Sequence, residues 1–412
     1  MQDLAVDEET QKRLAIKKTE NVEVTKTPAW MNAWWTALKQ ILPIYISLHV
    51  IIFILNYMAA LFLFHNYQTQ GIPSAIHSML NFWMRWDTVH YVNIATYGYT
   101  IPQEAAFFPL YPSLIYIVSL VTGHAFLSGF LVSNVLELGM FTVCYRLIAE
   151  DFDEDRAWRC VLYLAIFPTA FFFTAVYTES LFLFLALLSF YYMRRGRWWL
   201  AGLAMFFAGL TRTTSVALAI PFCYEYLRQH DFQWKKFRLN ILSGAGIVGG
   251  IAVFALFCYL HYHDPLLFSH GERKFWGRVW MLPGKGFLYS LQIIHSFDYI
   301  SFFSIHNMLD LSIALTFLVL LVLCFIGPWK FSRQDWAYPL YGVTIYLFCI
   351  SVPQTDLLPL ASLSRYMLEI LPVFILLATM GKNRNFNLFY ITLSLPLFAF
   401  LLLQFLTGSW MV

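Results

Sequence analysis

The chain has 412 residues, of which 59% are hydrophobic and 12% charged. A soluble protein of this length needs far more charge to cover its surface, so the composition excludes a soluble globular fold. The net charge of +3 is too small to point to nucleic acid, and several apolar runs approach the roughly 20 residues that span a hydrocarbon core. The chain reads as an all-α polytopic membrane protein.

Residues 1–29 mix Asp, Glu, Lys and Thr and lack an apolar core. They are expected to form a disordered cytoplasmic tail and not a signal peptide. Trp30 to Lys39 predicts a short interfacial helix, which closes a first unit at 1–40. A transmembrane domain is expected over 41–407, with 408–412 as an outer C-terminal tail. Ile41–Phe64 is its first span, and residues 65–124 form a first large outer loop. Within that loop Ser113–Val121 is apolar but short, so it predicts a half-embedded helix.

Ala125–Ile148 is the second span, followed by a charged turn from Glu150 to Arg159. Two close spans, near 160–175 and 180–193, are joined by Val176-Tyr177-Thr178-Glu179-Ser180. Arg194-Arg195-Gly196-Arg197 ends that pair. Residues 198–227 read as another tight pair, broken near Thr211-Arg212-Thr213-Thr214-Ser215. A basic turn with Arg228, Lys235, Lys236 and Arg238 leads to the span Ile241–Tyr262. Residues 263–306 form a second large outer loop. Spans near 308–327, 337–352, 365–381 and 387–407 bring the expected total to about eleven.

Basic residues set the orientation. With the N-terminus inside and the spans alternating, 20 of the 27 Lys and Arg fall on the inner side and 7 outside. That bias follows the positive-inside rule. If Ser113–Val121 crossed, every later element would flip and the bias would invert. The outer basic residues are Arg85, Arg212, Arg273, Lys274, Arg278, Lys285 and Arg365. Charge near hydrocarbon is costly and usually functional, so together they read as an anion site at the membrane surface.

The most distinctive stretch is 81–112, crowded with aromatic residues and punctuated by proline. Trp and Tyr favour the membrane–water interface, so it reads as an interfacial segment carrying one carboxylate, Asp87. Beside apolar surface such a carboxylate can take a proton from a hydroxyl. The plainer reading is a salt bridge to Arg85 or a helix cap. His90 and Tyr91 follow Asp87 at helix-like spacing and can orient a substrate. Glu104 is a second acid or a polar turn residue. Glu179 can bind sugar hydroxyls, while Thr178 or Ser180 beside it can cap a helix. Arg365-Tyr366 opens an apolar span, and a guanidinium there can clamp a phosphate bidentately or serve as an anchor. Arg212 has a similar balance. Arg273, Lys274 and Arg278 lie with Trp276 on an amphipathic segment that fits a ligand or lipid headgroups.

Two patterns point elsewhere. Asp151-Phe152-Asp153 has the Asp-x-Asp spacing of metal-dependent nucleotide-sugar enzymes, but it falls in a short inner turn and is expected to be solvated. His261, His263, Asp264 and His270 match no standard zinc spacing. The six cysteines lie in or beside apolar segments without metal or redox spacing, as small buried hydrophobes do. No metal or cofactor is expected.

Trp86-Asp87-x-x-His90-Tyr91-x-x-Ile94-Ala95-x-x-Gly98-Tyr99, with Ala106-Phe107-Phe108-Pro109-Leu110-Tyr111-Pro112, closely resembles the PIG-V family. Phe167-Pro168-Thr169, Tyr177-Thr178-Glu179-Ser180, Leu210-Thr211-Arg212 and Ser364-Arg365-Tyr366 with Pro372 are similar to later blocks. The resemblance covers roughly residues 80–380. It implies a GT-C integral-membrane glycosyltransferase that takes a hexose, mannose above all, from a polyprenyl or dolichyl phosphate. Transfer would be inverting, on the non-cytosolic face, to a hydroxyl of a lipid-linked or glycan acceptor. It assigns the acid of the first outer loop to Asp87 as general base and Arg365 to the departing phosphate. The chain has no Asn-x-Ser/Thr sequon, which favours a bacterial or archaeal membrane over the endoplasmic reticulum. A lipid or sugar transporter would also need outer-face charge, but no internal repeat of the transporter kind is present. A non-catalytic subunit of a membrane complex is the third reading.

Overall fold

The computed structural model describes residues 29–63 and 79–408. The expected tail over 1–28, the first part of the outer loop and residues 409–412 lie outside the described residues. All regular elements described are helical. The one strand-like contact is an isolated bridge between Arg278 and Gln354.

The helices are α1 (Ala29–Leu63), α2 (Asp87–Tyr97), α3 (Leu110–Thr122), α4 (Ala125–Asp151), α5 (Glu154–Ala165) and α6 (Glu179–Arg194). They continue as α7 (Trp198–Gly209), α8 (Ala219–Gln229), α9 (Gly246–Tyr262), α10 (Leu267–Trp276) and α11 (Lys285–Ser296). The last are α12 (Phe302–Leu323), α13 (Ala337–Ile350), α14 (Leu363–Tyr366), α15 (Leu371–Met380) and α16 (Arg384–Thr407).

Five helical runs are long and apolar enough to cross a bilayer: Met31–Leu61, Ala125–Asp151, Leu239–Tyr262, Phe302–Leu323 and Arg384–Thr407. A sixth is possible by length if Leu363–Glu369 and Leu371–Met380, bent by 76°, count as one broken span. The expectation of about eleven spans is therefore not met by length and composition. The interfacial helix expected at 30–39 is continuous with the first span, because no breaker separates them before Pro43 inside α1.

The difference has a physical cause. The apolar runs near 160–193 and 198–227 are interrupted by short 3-10 turns at Ala170–Phe173 and Thr213–Leu218. Each flanking helix has 11 to 16 residues, or about 17–24 Å at 1.5 Å per residue, short of a full crossing. The stretch that joins α5 to α6 lies deep in the protein, where every residue from Tyr163 to Leu183 is buried. Irregular backbone at such depth is tolerated only where protein surrounds it. Here the Thr169 hydroxyl donates to the Ser364 carbonyl at 3.0 Å, and the Thr174 hydroxyl donates to Glu137 at 3.1 Å.

α6 lies between α4 and α7, and α7 packs in turn on α9. The last contact is backbone on backbone. A Cβ on Gly250 would lie 2.1 Å from the Phe206 carbonyl, and one on Gly246 would lie 2.2 Å from that of Gly202. Small residues allow this approach, the usual way helices associate where lipid gives no hydrophobic drive. The contact sets where α7 ends, just before Arg212.

At the C-terminal end of α6, Arg194 joins Asp151 at 2.6 Å and Asp335 at 2.8 Å, and Tyr338 donates to Asp151 at 2.7 Å. Asp153 caps α5 by accepting from Arg156. The Asp-x-Asp pattern is thus engaged in structural bonds. Asp264 pairs with His270 at 2.7 Å, while His261 donates to the Tyr99 carbonyl at 3.1 Å.

The glycine contact gives a contrast between neighbours. Gly250→Ala should destabilise the protein by about 1–3 kcal/mol, because a backbone carbonyl cannot move aside. Gly249→Ala meets only the Phe206 ring, at 3.3 Å, and should cost far less. Thermal melting in detergent compares them, and equal melting points would refute the close-packing account.

Candidate active site: an arginine–carboxylate chain beside a cavity

The site starts at a strained residue. Trp86 has φ 49°, a conformation uncommon for a bulky side chain and characteristic of functional turns. It places Asp87 at the first position of α2, where the helix dipole favours a negative charge. The Asp87 N–H donates to the Tyr177 hydroxyl at 3.3 Å. Glu179 holds the equivalent position on α6.

Arg365 joins the two helix ends. Its Nη1 donates to Asp87 Oδ2 at 2.8 Å, and its Nε lies 3.2 Å from Glu179 Oε1. Arg212 continues the chain. Its Nη1 is 2.9 Å from Glu179 Oε1 and 2.8 Å from Glu369 Oε1. The order is therefore Asp87–Arg365–Glu179–Arg212–Glu369, drawn from four separate parts of the sequence. Glu179 and Glu369 are each 1% exposed, while the Asp87 side chain is 25% exposed. The Arg365–Glu179 and Arg212–Glu369 contacts are close but not aligned as hydrogen bonds, and Glu179 Oε2 and Glu369 Oε2 have no hydrogen-bond partner among the described residues.

The guanidiniums also gather round one ring. Arg212, Arg365 and Arg278 lie 5.0, 5.4 and 5.6 Å from the Tyr366 ring centre, within cation–π range. Burial works against the charge of Arg212, but the Glu369 and Glu179 carboxylates outweigh it and hold the group well above its ordinary value. Such a buried chain is stable only while complete, since removing one partner leaves a charge uncompensated.

A cavity of about 520 Å³ opens beside the chain, within the range of small-molecule sites. Asp87, Tyr91, Arg212, Arg273, Arg365 and Tyr366 line it, together with Phe107, Glu272, Trp276 and Arg278. Six of the ten residues singled out from sequence thus share one cavity wall, and Glu179 stands behind it in the ion chain.

The other three are placed differently. Arg85 packs beside Gly408 at the end of α16, and no ion pair joins it to Asp87 among the described residues. The Glu104 carboxylate is buried and accepts from the Thr100 N–H at 2.7 Å, the Thr100 hydroxyl and the Ile101 N–H, so it closes a turn. His90 stacks on Phe107 with ring centres 4.5 Å apart. Burial lowers its proton affinity against the pull of Asp87 and Glu104, which leaves the ring neutral at neutral pH.

Sequence reasoning passed over Glu369 and Glu272 as site residues, and it named Arg278 only among the basic residues of an anion site. Glu369 had a signal: an acid inside an apolar run, which is expensive unless it is used. Glu272 gave none, because charge on an amphipathic loop helix is ordinary.

The fold and site together define a multi-pass integral membrane protein with a buried ion chain and a ligand-sized cavity at one end of its helix bundle. The chain belongs to the family described as Mannosyltransferase (PIG-V), whose match covers residues 37–324. GPI mannosyltransferase 2 of Yarrowia lipolytica is 22% identical over 227 residues, covering 51% of this chain and 63% of that protein. GPI mannosyltransferase 2 of Schizosaccharomyces pombe is 24% identical over 276 residues, covering 60% and 59%. GPI alpha-1,6-mannosyltransferase 2 of Rattus norvegicus is 27% identical over 162 residues, covering 35% and 32%. The chain therefore matches less than two thirds of the length of each of these relatives. ArnT from Cupriavidus metallidurans, solved bound to undecaprenyl phosphate, aligns with a TM-score of 0.48 at 15% identity, covering 76% of this chain and 60% of that one. The family match ends before Arg365, Tyr366 and Glu369, so the geometry alone brings these three to the site.

Glu179→Gln keeps the size of the central carboxylate and removes its charge. It should destabilise the protein by about 3–5 kcal/mol, the scale for breaking a buried ion pair. Thermal melting of the purified protein checks this, and an unchanged midpoint would mean that the chain does not hold the fold.

Proposed function

We propose that this chain is a glycosyltransferase that moves a hexose, mannose first, from a polyprenyl or dolichyl phosphate to a hydroxyl of a lipid-linked or glycan acceptor. Membership of the PIG-V family and the names of the curated relatives support the reaction class. The observation that carries the residue assignment is the meeting of Asp87 and Arg365 at 2.8 Å on the cavity wall.

Asp87 is the general base and Arg365 the phosphate ligand. In this structure the two neutralise each other. A donor phosphate entering the cavity competes for the Arg365 guanidinium, which can fork to two oxygens. The competition frees the Asp87 carboxylate to face the acceptor hydroxyl. The acceptor oxygen then attacks the anomeric carbon from the side opposite the phosphate. The C–O bond to the phosphate breaks, its electron pair stays on the leaving phosphate, and the hydroxyl proton passes to Asp87. The leaving group gains charge as the bond breaks, which the fixed positive groups around Tyr366 stabilise more than they stabilise the ground state. The anomeric configuration inverts.

The active side is the non-cytosolic one. The 20-to-7 division of basic residues supports this. The two ion clusters sit at opposite ends of α6, whose 16 residues span about 22 Å from first to last. Gln233→Cys and Ser296→Cys in a cysteine-free background test the orientation. An impermeant reagent on intact cells should label position 296 and spare position 233, and the reverse would invert the map.

Purified protein with radiolabelled polyprenyl-phosphate mannose and a native lipid extract should yield labelled lipid or glycan. Asp87→Asn should lower turnover by at least about 100-fold, the scale of general-base loss, while the protein still inserts and binds donor lipid. Asp87→Glu should recover little, because an added methylene moves the carboxylate off the hydroxyl. Near-normal turnover in folded Asp87→Asn protein would remove this mechanism and leave the transporter and structural readings standing.

A further inference from the structure

We infer that Glu272, with Trp276 one helical turn further on, forms a subsite for the hydroxyls of a hexose; this rests on reading the cavity as a lipid-phosphate sugar site. The two residues are four apart on α10, so they share a face, and both line the cavity that Asp87 lines. Buried Phe268, one turn earlier on the same face, also lines the cavity and packs on Phe108 at 5.5 Å between ring centres.

The Glu272 carboxylate is held in place. Arg278 Nε lies 3.4 Å from its Oε2, the Arg278 N–H donates to the Glu272 carbonyl at 3.2 Å, and Arg278 Nη2 donates to the Ala361 carbonyl at 3.3 Å. This strut ties α10 to the segment that leads into Arg365. It engages one carboxylate oxygen by charge and leaves the side chain 40% exposed. The same side chain lines the cavity. Burial in its walls pushes the carboxyl above the usual range, Arg278 pulls it down, and Asp87 pushes it up again.

A second carboxylate in a cavity built to hold a phosphate is a liability, because it repels the anion. Its presence is explained if its ligand is the neutral, hydroxyl-rich part of the substrate. A carboxylate accepts from hydroxyl donors and has no proton of its own to offer. Trp276 adds the apolar partner that the C–H face of a sugar needs. Its ring meets Phe107 at 5.6 Å and His90 at 6.2 Å, so it belongs to a rigid aromatic wall. The sugar is that of the donor or that of the acceptor, and the two demand the same chemistry here.

The test uses the full-length protein in nanodiscs with two probes, a short polyprenyl-phosphate mannose and the same polyprenyl phosphate without sugar. Glu272→Gln should weaken the sugar-bearing lipid about tenfold or more, the scale of a hydrogen bond to a charged group, and leave the bare lipid phosphate within about twofold. Trp276→Leu should show the same selectivity. A loss confined to the KM for acceptor would assign the subsite to the acceptor sugar. Equal weakening of both lipids would mean that Glu272 acts only through Arg278 on the phosphate, and that overturns the inference. Unchanged affinities and KM values in both variants overturn it too. If the wild-type protein binds neither lipid, the reading of the cavity itself fails.

Discussion

One buried carboxylate carries the site. Glu179 is 1% exposed, and a single oxygen of it lies within 3.2 Å of Arg365 and 2.9 Å of Arg212. Without it Arg365 would keep only Asp87 and Arg212 only Glu369, and losing one partner of a buried ion chain costs several kcal/mol. Glu179 owes its place to the α6 N-terminus, where the helix dipole favours the negative charge. The whole ion chain hangs from that helix end, and so does the position of Arg365 opposite Asp87.

The broken helices follow from the same requirement. A helix that crossed without interruption would offer the site only side chains from its flank. Ending α5, turning through Ala170–Phe173 and starting α6 brings a helix N-terminus into the protein interior. The bend between Met367–Glu369 and α15 does the same for Glu369 and Arg365. The cost is buried irregular backbone, and Thr169, Thr174 and Glu137 answer it with specific hydrogen bonds. The glycine contact of α7 on α9 completes the scaffold by fixing where Arg212 emerges.

Much of this was legible in the sequence, and what was not has a common cause. Asp87, Tyr91, Glu179, Arg212 and Arg365 were singled out because charge and polarity beside apolar runs are costly, and the structure gathers them. Arg85 was the natural partner for Asp87 by proximity, yet Asp87 binds Arg365, 278 residues away. Glu104 had the look of a site acid, yet its carboxylate closes its own turn. Length and composition do not reproduce the expected count of about eleven spans, because hydropathy does not fix helix length and apolar stretches such as Trp198–Gly209 and Ala337–Ile350 form helices shorter than a full crossing. Glu272 went unnoticed because a charge on an amphipathic loop helix has no local signature of use.

The sequence by itself determined the class of the protein. Composition demanded a membrane, and the block around Asp87 pointed to the family. These are properties of composition and local pattern, and they survive whatever the helices do in space. Only the tertiary structure decided which arginine meets which carboxylate, that Glu179 is shared, and that α10 brings Glu272 and Trp276 to the same cavity. The reason is physical. An ion pair is a short-range contact, and its partners are chosen by how helices pack side by side, while the chain's own pattern reaches only a turn or two along each helix.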